Sequence, residues 1–335
     1  MDYDELAVPG VRALTPYQPG KPIEELQREY GIKDVIKLAS NENPLGPSPV
    51  ALAAIRSELD ELARYPDGNG FELKQALANK YKLQTEQITL GNGSNDILDV
   101  IARTFAAAGD EIIFSQHAFA VYPLVTQAIG AKAVVTPAKE WGHDLDAMGR
   151  AVTDKTKLIF LANPNNPTGT WFDKTELEDF LQQTPERIIV VLDEAYFEYA
   201  SQLQAGDYPD GLEYLARYPN LIVTRTFSKA YGLAGLRVGY AISHPGIANL
   251  LNRVRQPFNV NSLALCAATA ALDDQNHLMA SLELNQLGMG LYQQHFEQMG
   301  LSFIPSLGNF ISVNVGECAM GVYDSLLREG VIVRP

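Results

Sequence analysis

Thr226-Phe227-Ser228-Lys229-Ala230-Tyr231-Gly232-Leu233-Ala234-Gly235-Leu236-Arg237-Val238-Gly239-Tyr240 follows the apolar run Leu221-Ile222-Val223-Thr224. One lysine and one arginine are thus delivered into a small-residue loop where a strand is expected to end. In open α/β sheets such strand exits are where ligands are held. A lysine amine condenses with an aldehyde, and an aldehyde that also carries a phosphate needs hydroxyls and a permanent cation close by. Thr226, Ser228 and Arg237 are residues of those types. The aldehyde cofactor in common use is pyridoxal phosphate. A lone lysine in a loop is more often simply solvated, so the reading depends on what else the chain carries.

Two further stretches carry it. Asn163-Pro164-Asn165-Asn166-Pro167-Thr168-Gly169 hangs at the end of the apolar run Leu158-Ile159-Phe160-Leu161. Asp193-Glu194-Ala195-Tyr196-Phe197-Glu198-Tyr199 follows Ile188-Ile189-Val190-Val191-Leu192, a continuous apolar run of the kind found in strands buried on both faces. Asp193 therefore leaves the core at a strand end. A carboxylate there can pair with a pyridine nitrogen and keep it protonated, which makes the ring an electron sink. Asn166 and Tyr196 are candidates to bond the ring's phenolic oxygen. Each stretch alone also reads as an ordinary turn or strand exit. Together, in the order asparagine, aspartate, lysine, arginine, each after its own strand, they point to one site.

On these motifs the chain resembles the fold-type I, aspartate-aminotransferase-like family of pyridoxal phosphate enzymes, and within it the histidinol-phosphate aminotransferase branch. The resemblance extends to Leu14-Thr15-Pro16-Tyr17-Gln18, Leu38-Ala39-Ser40-Asn41-Glu42-Asn43-Pro44, Arg64-Tyr65-Pro66-Asp67-Gly68 and Gly91-Asn92-Gly93-Ser94-Asn95-Asp96. It implies Lys229, Asp193 and Tyr196 as catalytic residues. It also implies a cofactor held by Gly93, Ser94, Asn95, Phe119, Asn166, Thr226, Ser228 and Arg237. Phe119 falls where the family stacks an aromatic on the pyridine ring, often a tyrosine. Tyr65 is expected to reach the cofactor phosphate from a second subunit, so a homodimer with shared sites is expected.

Composition agrees with a soluble metabolic enzyme. With 335 residues and 46% hydrophobic content, the chain can bury a large core and is expected to form two lobes. A formal charge of -14 argues against nucleic acid, which needs clustered Lys and Arg. Cys266 and Cys318 are the two cysteines, without the spacing of a disulfide framework or a zinc site, so no metal is expected. An acidic start without a signal-peptide pattern, and no run of about 20 apolar residues, lead to an expectation of a cytoplasmic protein without membrane contact.

Strand-like runs at 88–90, 111–114, 133–135, 158–161, 188–192, 221–224 and 238–242 alternate with helical patterns, the signature of a mainly parallel sheet covered by helices. Ile97, Leu98, Ile101 and Phe105 form a helical stripe opened by Gly93-Ser94-Asn95, and backbone amides at such a start bind anions. The expected division is an N-terminal arm over 1–36, a cofactor-binding domain over 37–255 and a smaller C-terminal α+β lobe over 256–335. Pro9, Pro16, Pro19, Gly20 and Pro22 break the first segment into an arm. His117 stands without a catalytic partner and is read as structural.

For substrate, the resemblance assigns Arg334, Tyr17 and Asn43. It also implies a second arginine beyond Pro335, where the sequence stops, so the final lobe is expected to be truncated. The implied reaction is amino transfer between histidinol phosphate and 2-oxoglutarate in histidine biosynthesis. An aromatic-amino-acid aminotransferase, a threonine-phosphate decarboxylase and a cofactor-binding regulatory module remain as alternatives.

Overall fold

The structure is a computed structural model that describes residues 3–17, 19–204 and 206–335. Gln18 of the N-terminal motif lies outside the described residues. The chain opens with short helices α1 (Tyr3–Leu6), α2 (Pro9–Arg12) and α3 (Ile23–Tyr30), then β1 (Ile36–Lys37), α4 (Pro49–Glu58) and α5 (Phe71–Tyr81). The central part follows as β2 (Ile88–Gly91), α6 (Ser94–Phe105), β3 (Glu111–Ser115), α7 (Val121–Ala128) and β4 (Lys132–Thr136). A small hairpin, β5 (Ala138–Lys139) and β6 (Gly142–His143), leads to α8 (Leu145–Arg150), β7 (Thr156–Ala162), α9 (Lys174–Gln183), β8 (Ile189–Asp193) and α10 (Phe197–Leu203). Then come β9 (Leu221–Thr226), β10 (Gly239–Ser243), α11 (Pro245–Val254), α12 (Ser262–Asp273) and α13 (Gln275–Gln298). The chain closes on β11 (Phe303–Ile304), β12 (Ser312–Val313), α14 (Ala319–Arg328) and β13 (Val331–Ile332).

Seven strands form the central sheet in the order β2-β10-β9-β8-β7-β3-β4. Every pairing is parallel except those of β10, which runs antiparallel to both β2 and β9. Alternation along each strand divides the apolar residues between two cores. Ile159, Leu161, Val190, Leu192 and Val223 face one, while Leu158, Phe160, Val191 and Ile222 face the other. Both faces are covered, which is why the runs at 158–161 and 188–192 are apolar without a break. The expected α/β class and mainly parallel sheet are what the chain forms.

The lobes divide differently from the expected boundaries. Leu26, Ala39, Leu327 and Ile332 form a separate small core with Ile23, Val35 and Tyr323 around it, and β1 pairs in parallel with β13. Residues 23–39 thus belong with the C-terminal lobe. The glutamate-rich segment after Pro22 has enough helix formers to make α3 and enough apolar character to dock it. Beyond residue 255, Ala264, Ala267, Ala268 and Ala271 of α12 lie in the main core with Ala51 of α4 and Leu73 of α5, and small side chains let these helices approach closely.

On β9 a fully buried cation, Arg225, ties the strand to the end of β8. Arg225 donates from Nε and Nη2 to Glu194 Oε2 at 2.9 and 2.7 Å, and from Nη2 to Asp210 Oδ1 at 2.7 Å. Glu194 Oε1 in turn accepts from the Gly211 amide at 2.8 Å, and the guanidinium lies 3.4 Å from the Phe197 ring centroid. Burial pushes the Glu194 carboxyl up to about 7, against the pull of Arg225. Removing one member of a buried pair leaves an uncompensated charge. Arg225→Ala is therefore expected to cost about 3–5 kcal/mol, read by chemical denaturation. A loss below about 1 kcal/mol would show that the pair contributes little. Among the described residues, no helix is long and apolar enough to cross a membrane.

Candidate active site

Parallel pairing puts the ends of β7, β8 and β9 on one edge of the sheet, with Ala162 opposite Asp193 and Asp193 opposite Thr224. The reversed strand β10 starts at that same edge, because Gly239 pairs with Thr226 on one side and Gly91 on the other. Strand order alone therefore gathers Asn166, Asp193, Lys229, Arg237 and the start of α6.

Asp193 is 4% exposed. Its Oδ2 accepts from Tyr122 Oη and its Oδ1 from Thr224 Oγ1, both at 2.9 Å. Burial pushes its carboxyl up, and the bonds from Thr224, Tyr122 and the Ala195 amide oppose that. Among the described residues no Lys, Arg or His lies within ion-pair distance of it. A buried carboxylate with only neutral donors lacks a positive partner and can stabilise one from outside the chain.

Beside it, Tyr196 Oη accepts from Asn166 Nδ2 and from Asn41 Nδ2, both at 3.0 Å. Its own hydrogen remains to be donated, and burial pushes its ionisation up. Lys229 Nζ donates to the Ser40 carbonyl at 3.1 Å and lies 5.8 Å from the Tyr196 ring centroid. Burial lowers its amine to about 8, with Arg237 adding to the shift and Glu42 opposing it. The amine is thus partly neutral near pH 8, the form that attacks a carbonyl.

The anion cradle stands at the start of α6, where Gly93 has φ +83° and no side chain caps the helix amides. Arg237 lies across this glycine so closely that a Cβ on Gly93 would come within 2.5 Å of Nη2. On Gly239 a Cβ would come within 2.6 Å of the Ser94 amide nitrogen. Arg237 Nη1 donates to Ser228 Oγ at 3.4 Å and to the Ala234 carbonyl at 3.1 Å, and Thr226 Oγ1 accepts from the Ser228 amide at 3.1 Å. Open helix amides, a fixed cation and two hydroxyls together form a phosphate-binding arrangement. Asn95, on the first turn, is exposed.

The remaining candidates are distributed unevenly. Phe119 stands edge-on to Tyr122, centroids 5.9 Å apart, which places it beside the residue that holds Asp193. Tyr65 is 82% exposed and stacked on Phe258 at 4.8 Å. Arg334 lies over the Tyr17 ring at 5.4 Å. Asn43 departs from the expected substrate role. Its Nδ2 donates to the Ala230 carbonyl and to Ser281 Oγ, both at 2.9 Å, and its Oδ1 accepts from the Leu45 amide at 3.0 Å. With both amide hydrogens committed inside the fold, Asn43 pins its loop to the lysine loop and to α13. Its neighbour Asn41 reaches the site instead, held at φ +53°. Asn41, Tyr122 and Thr224 were not among the expected site residues. A left-handed position favours asparagine, which is a signal for Asn41; Thr224 lay at the end of an apolar run and Tyr122 outside the motifs, neither with a mark of its own.

The family profile described as "Aminotransferase class I and II" matches residues 33–335. The chain is 62% identical over 332 residues to histidinol-phosphate aminotransferase 2 of Pseudomonas fluorescens strain Pf0-1, covering 98% of this chain and 89% of that one. The chain belongs to the histidinol-phosphate aminotransferase family. Among solved structures, this aminotransferase superposes on the histidinol-phosphate aminotransferase from Sinorhizobium meliloti in complex with pyridoxal-5'-phosphate. The TM-score is 0.89 at 33% identity, covering 97% of this chain and 88% of the other. A Thermus thermophilus aspartate aminotransferase mutant at 22% identity has the same fold, with a TM-score of 0.82 over 97% of this chain and 90% of its own. The aminotransferase fold therefore places its buried aspartate, its lysine and its anion cradle on one sheet edge.

Proposed function

We propose that this aminotransferase binds pyridoxal phosphate and transfers the amino group of histidinol phosphate to 2-oxoglutarate, a step of histidine biosynthesis. The observation that carries this reading is the buried Asp193 carboxylate, matched only by neutral donors, on the same edge as a depressed lysine and an open anion cradle. The residues fit the cofactor: Asp193 would pair with the pyridine nitrogen, Asn166 and Tyr196 would bond the phenolic oxygen, and Phe119 would pack on the ring. Gly93, Ser94, Asn95, Thr226, Ser228 and Arg237 would hold the phosphate. The cofactor, when bound, supplies a conjugated ring that accepts the electrons left behind when the substrate loses its α proton. Lys229 Nζ would be the amine that holds the aldehyde and the base placed to move that proton. Tyr196 donates its hydroxyl hydrogen while Asn41 and Asn166 fix its orientation. Asp193, oriented by Tyr122 and Thr224, keeps its charge toward the ring.

Arg334 and Tyr17 are assigned to the substrate phosphate and carboxylate, since guanidinium binds both anions. The working unit is a cytoplasmic homodimer in which Tyr65 of a second copy completes the phosphate site. The cofactor-binding domain is taken as the sheet with its helices, α12 included, and the smaller lobe as the C-terminal segment after it, joined by residues 23–39. The deciding experiment is product analysis of the purified protein with 2-oxoglutarate and each of histidinol phosphate, phenylalanine and threonine phosphate. Imidazole acetol phosphate formed at the highest kcat/KM supports the reading. Preferred turnover of phenylalanine, or carbon dioxide from threonine phosphate, overturns it.

The lowered amine of Lys229 gives a pH expectation. Uptake of pyridoxal phosphate by the apoenzyme should speed up as pH rises through about 8 and then level off, because only the neutral amine attacks. Stopped-flow absorbance against pH checks this; a rate still climbing above pH 10 would mark an ordinary solvated lysine. Shared sites give another. An inactive Lys229→Ala chain mixed with an inactive Tyr65→Ala chain should form heterodimers with one intact site, so part of the activity returns. If mass-tagged subunits exchange and activity stays at the level of the parents, the sites are not shared.

A further inference from the structure

The segment 307–312, which turns from β11 into β12, lies against the site, and none of the expected site residues belongs to it. The Leu307 amide donates to the Gly169 carbonyl at 3.0 Å and Ser312 Oγ to the Pro167 carbonyl at 2.9 Å, which ties this segment to the loop that carries Asn166. Phe310 meets the Tyr196 ring edge-on, centroids 5.2 Å apart. Asn309 Nδ2 donates to the Asn41 carbonyl at 3.0 Å. Asn41 is the residue held at φ +53°, a conformation that any residue with a Cβ adopts against a penalty, asparagine included. Two bonds to its turn oppose that penalty: Lys229 Nζ donates to the Ser40 carbonyl, and Asn309 to the carbonyl that follows. The lysine gives up its bond whenever its amine is engaged elsewhere, whereas the Asn309 bond stays in place.

Asn41 passes the constraint on. Its Nδ2 and that of Asn166 both donate to Tyr196 Oη at 3.0 Å. A hydroxyl has one hydrogen to give and two lone pairs, so with both pairs taken the Tyr196 hydrogen has a single direction left. With one of them free, the hydroxyl can turn. We propose that Asn309 is a positioning residue: it holds Asn41 in its left-handed turn, and Asn41 in consequence keeps the Tyr196 hydrogen aimed at the phenolic oxygen of the cofactor. This rests on the role given to Tyr196 above. A hydrogen given to that oxygen loosens the proton on the nitrogen joining Lys229 to the cofactor, so the aim of the hydroxyl is readable as acidity.

The test is a pH titration of the visible absorbance of bound pyridoxal phosphate in the holoenzyme, without substrate. Asp193 and Tyr17 beside Tyr196, and Arg237 and Glu42 beside Lys229, are the same in every variant, so a shifted midpoint reports the hydroxyl. Asn309→Leu, of similar size but without a donor, should raise the midpoint by about 0.5 pH unit or more, in the same direction as Tyr196→Phe. In the Tyr196→Phe background the same substitution should add less than about 0.2 unit, since no hydrogen is left to aim, whereas a merely structural role would add there too. Asn41→Gly keeps the left-handed backbone without strain and deletes the donor. It should give the same rise, and it serves if Asn309→Leu loses its circular dichroism. Wild-type midpoints in Asn41→Gly and in a folded Asn309→Leu, or a shift that adds in full to that of Tyr196→Phe, overturn the proposal. A wild-type protein without the absorbance of a lysine-bound cofactor would overturn the roles of Lys229 and Tyr196 together with it. The choice of amino substrate does not enter, because none is added.

Discussion

Replacing Lys229 by alanine is expected to lower kcat/KM for amino transfer by at least about 10³-fold, because it removes both the amine that holds the aldehyde and the group that moves the α proton. Proton transfer by a placed side chain alone is worth roughly 10²–10⁴-fold. The fold should survive: among the described residues Lys229 Nζ makes one hydrogen bond, to Ser40 O, and its burial as a cation is a cost that alanine removes. Pyridoxal phosphate should still bind, since the cradle around Gly93, Ser228 and Arg237 is untouched. Steady-state kinetics with circular dichroism checks this, and added ethylamine should restore a measurable part of the rate. An alanine variant with near wild-type turnover would overturn the assignment of the lysine.

Asp193→Asn is expected to slow the α-proton step by about 10²–10³-fold, equivalent to about 3–4 kcal/mol of lost charge stabilisation. Asparagine keeps the shape and can still accept from Tyr122 or Thr224, so cofactor binding should weaken much less than the rate. The apoenzyme should not lose stability through the lost charge, because burial already works against the carboxylate at this position. Single-turnover kinetics with α-deuterated substrate separates these effects. A deprotonation rate equal to wild type would remove the electron-sink role, whereas a large drop in apoenzyme Tm would show that the carboxylate is structural.

The parts of the site legible in the sequence are those whose chemistry and position coincide. Asp193 and Lys229 each follow an uninterrupted apolar run, and a parallel sheet aligns such exits on one edge. Asn41 and Asn43 show where legibility stops. Two asparagines two positions apart look alike in sequence, and the left-handed backbone at Asn41, with Ala230 and Ser281 close to Asn43, decides which one faces the site. The pattern from about Gln256 reads as helical, but its alanines do not say which lobe they pack on; Ala51 and Leu73, far away in the chain, settle that. The helix at 23–30 was obscured by the prolines before it, and only its pairing with residues over 300 positions later gives it a place. Tyr122 is an ordinary aromatic in sequence, and its bond to Asp193 comes from a residue 71 positions away.

The reversed strand β10 has an implication for how this family can vary. Lys229 and Arg237 hang from the two sides of a zipped hairpin whose rungs run from Thr226–Gly239 to Ile222–Ser243. Their separation is set by the rungs and not by the number of residues between them. Gly235, at the exposed crest of that arch, has open space where a side chain would go. Exposed crests of this kind accept inserted residues at small entropic cost. The crest is thus a natural insertion port, where extra sequence can be grafted while the lysine and arginine keep their grip below.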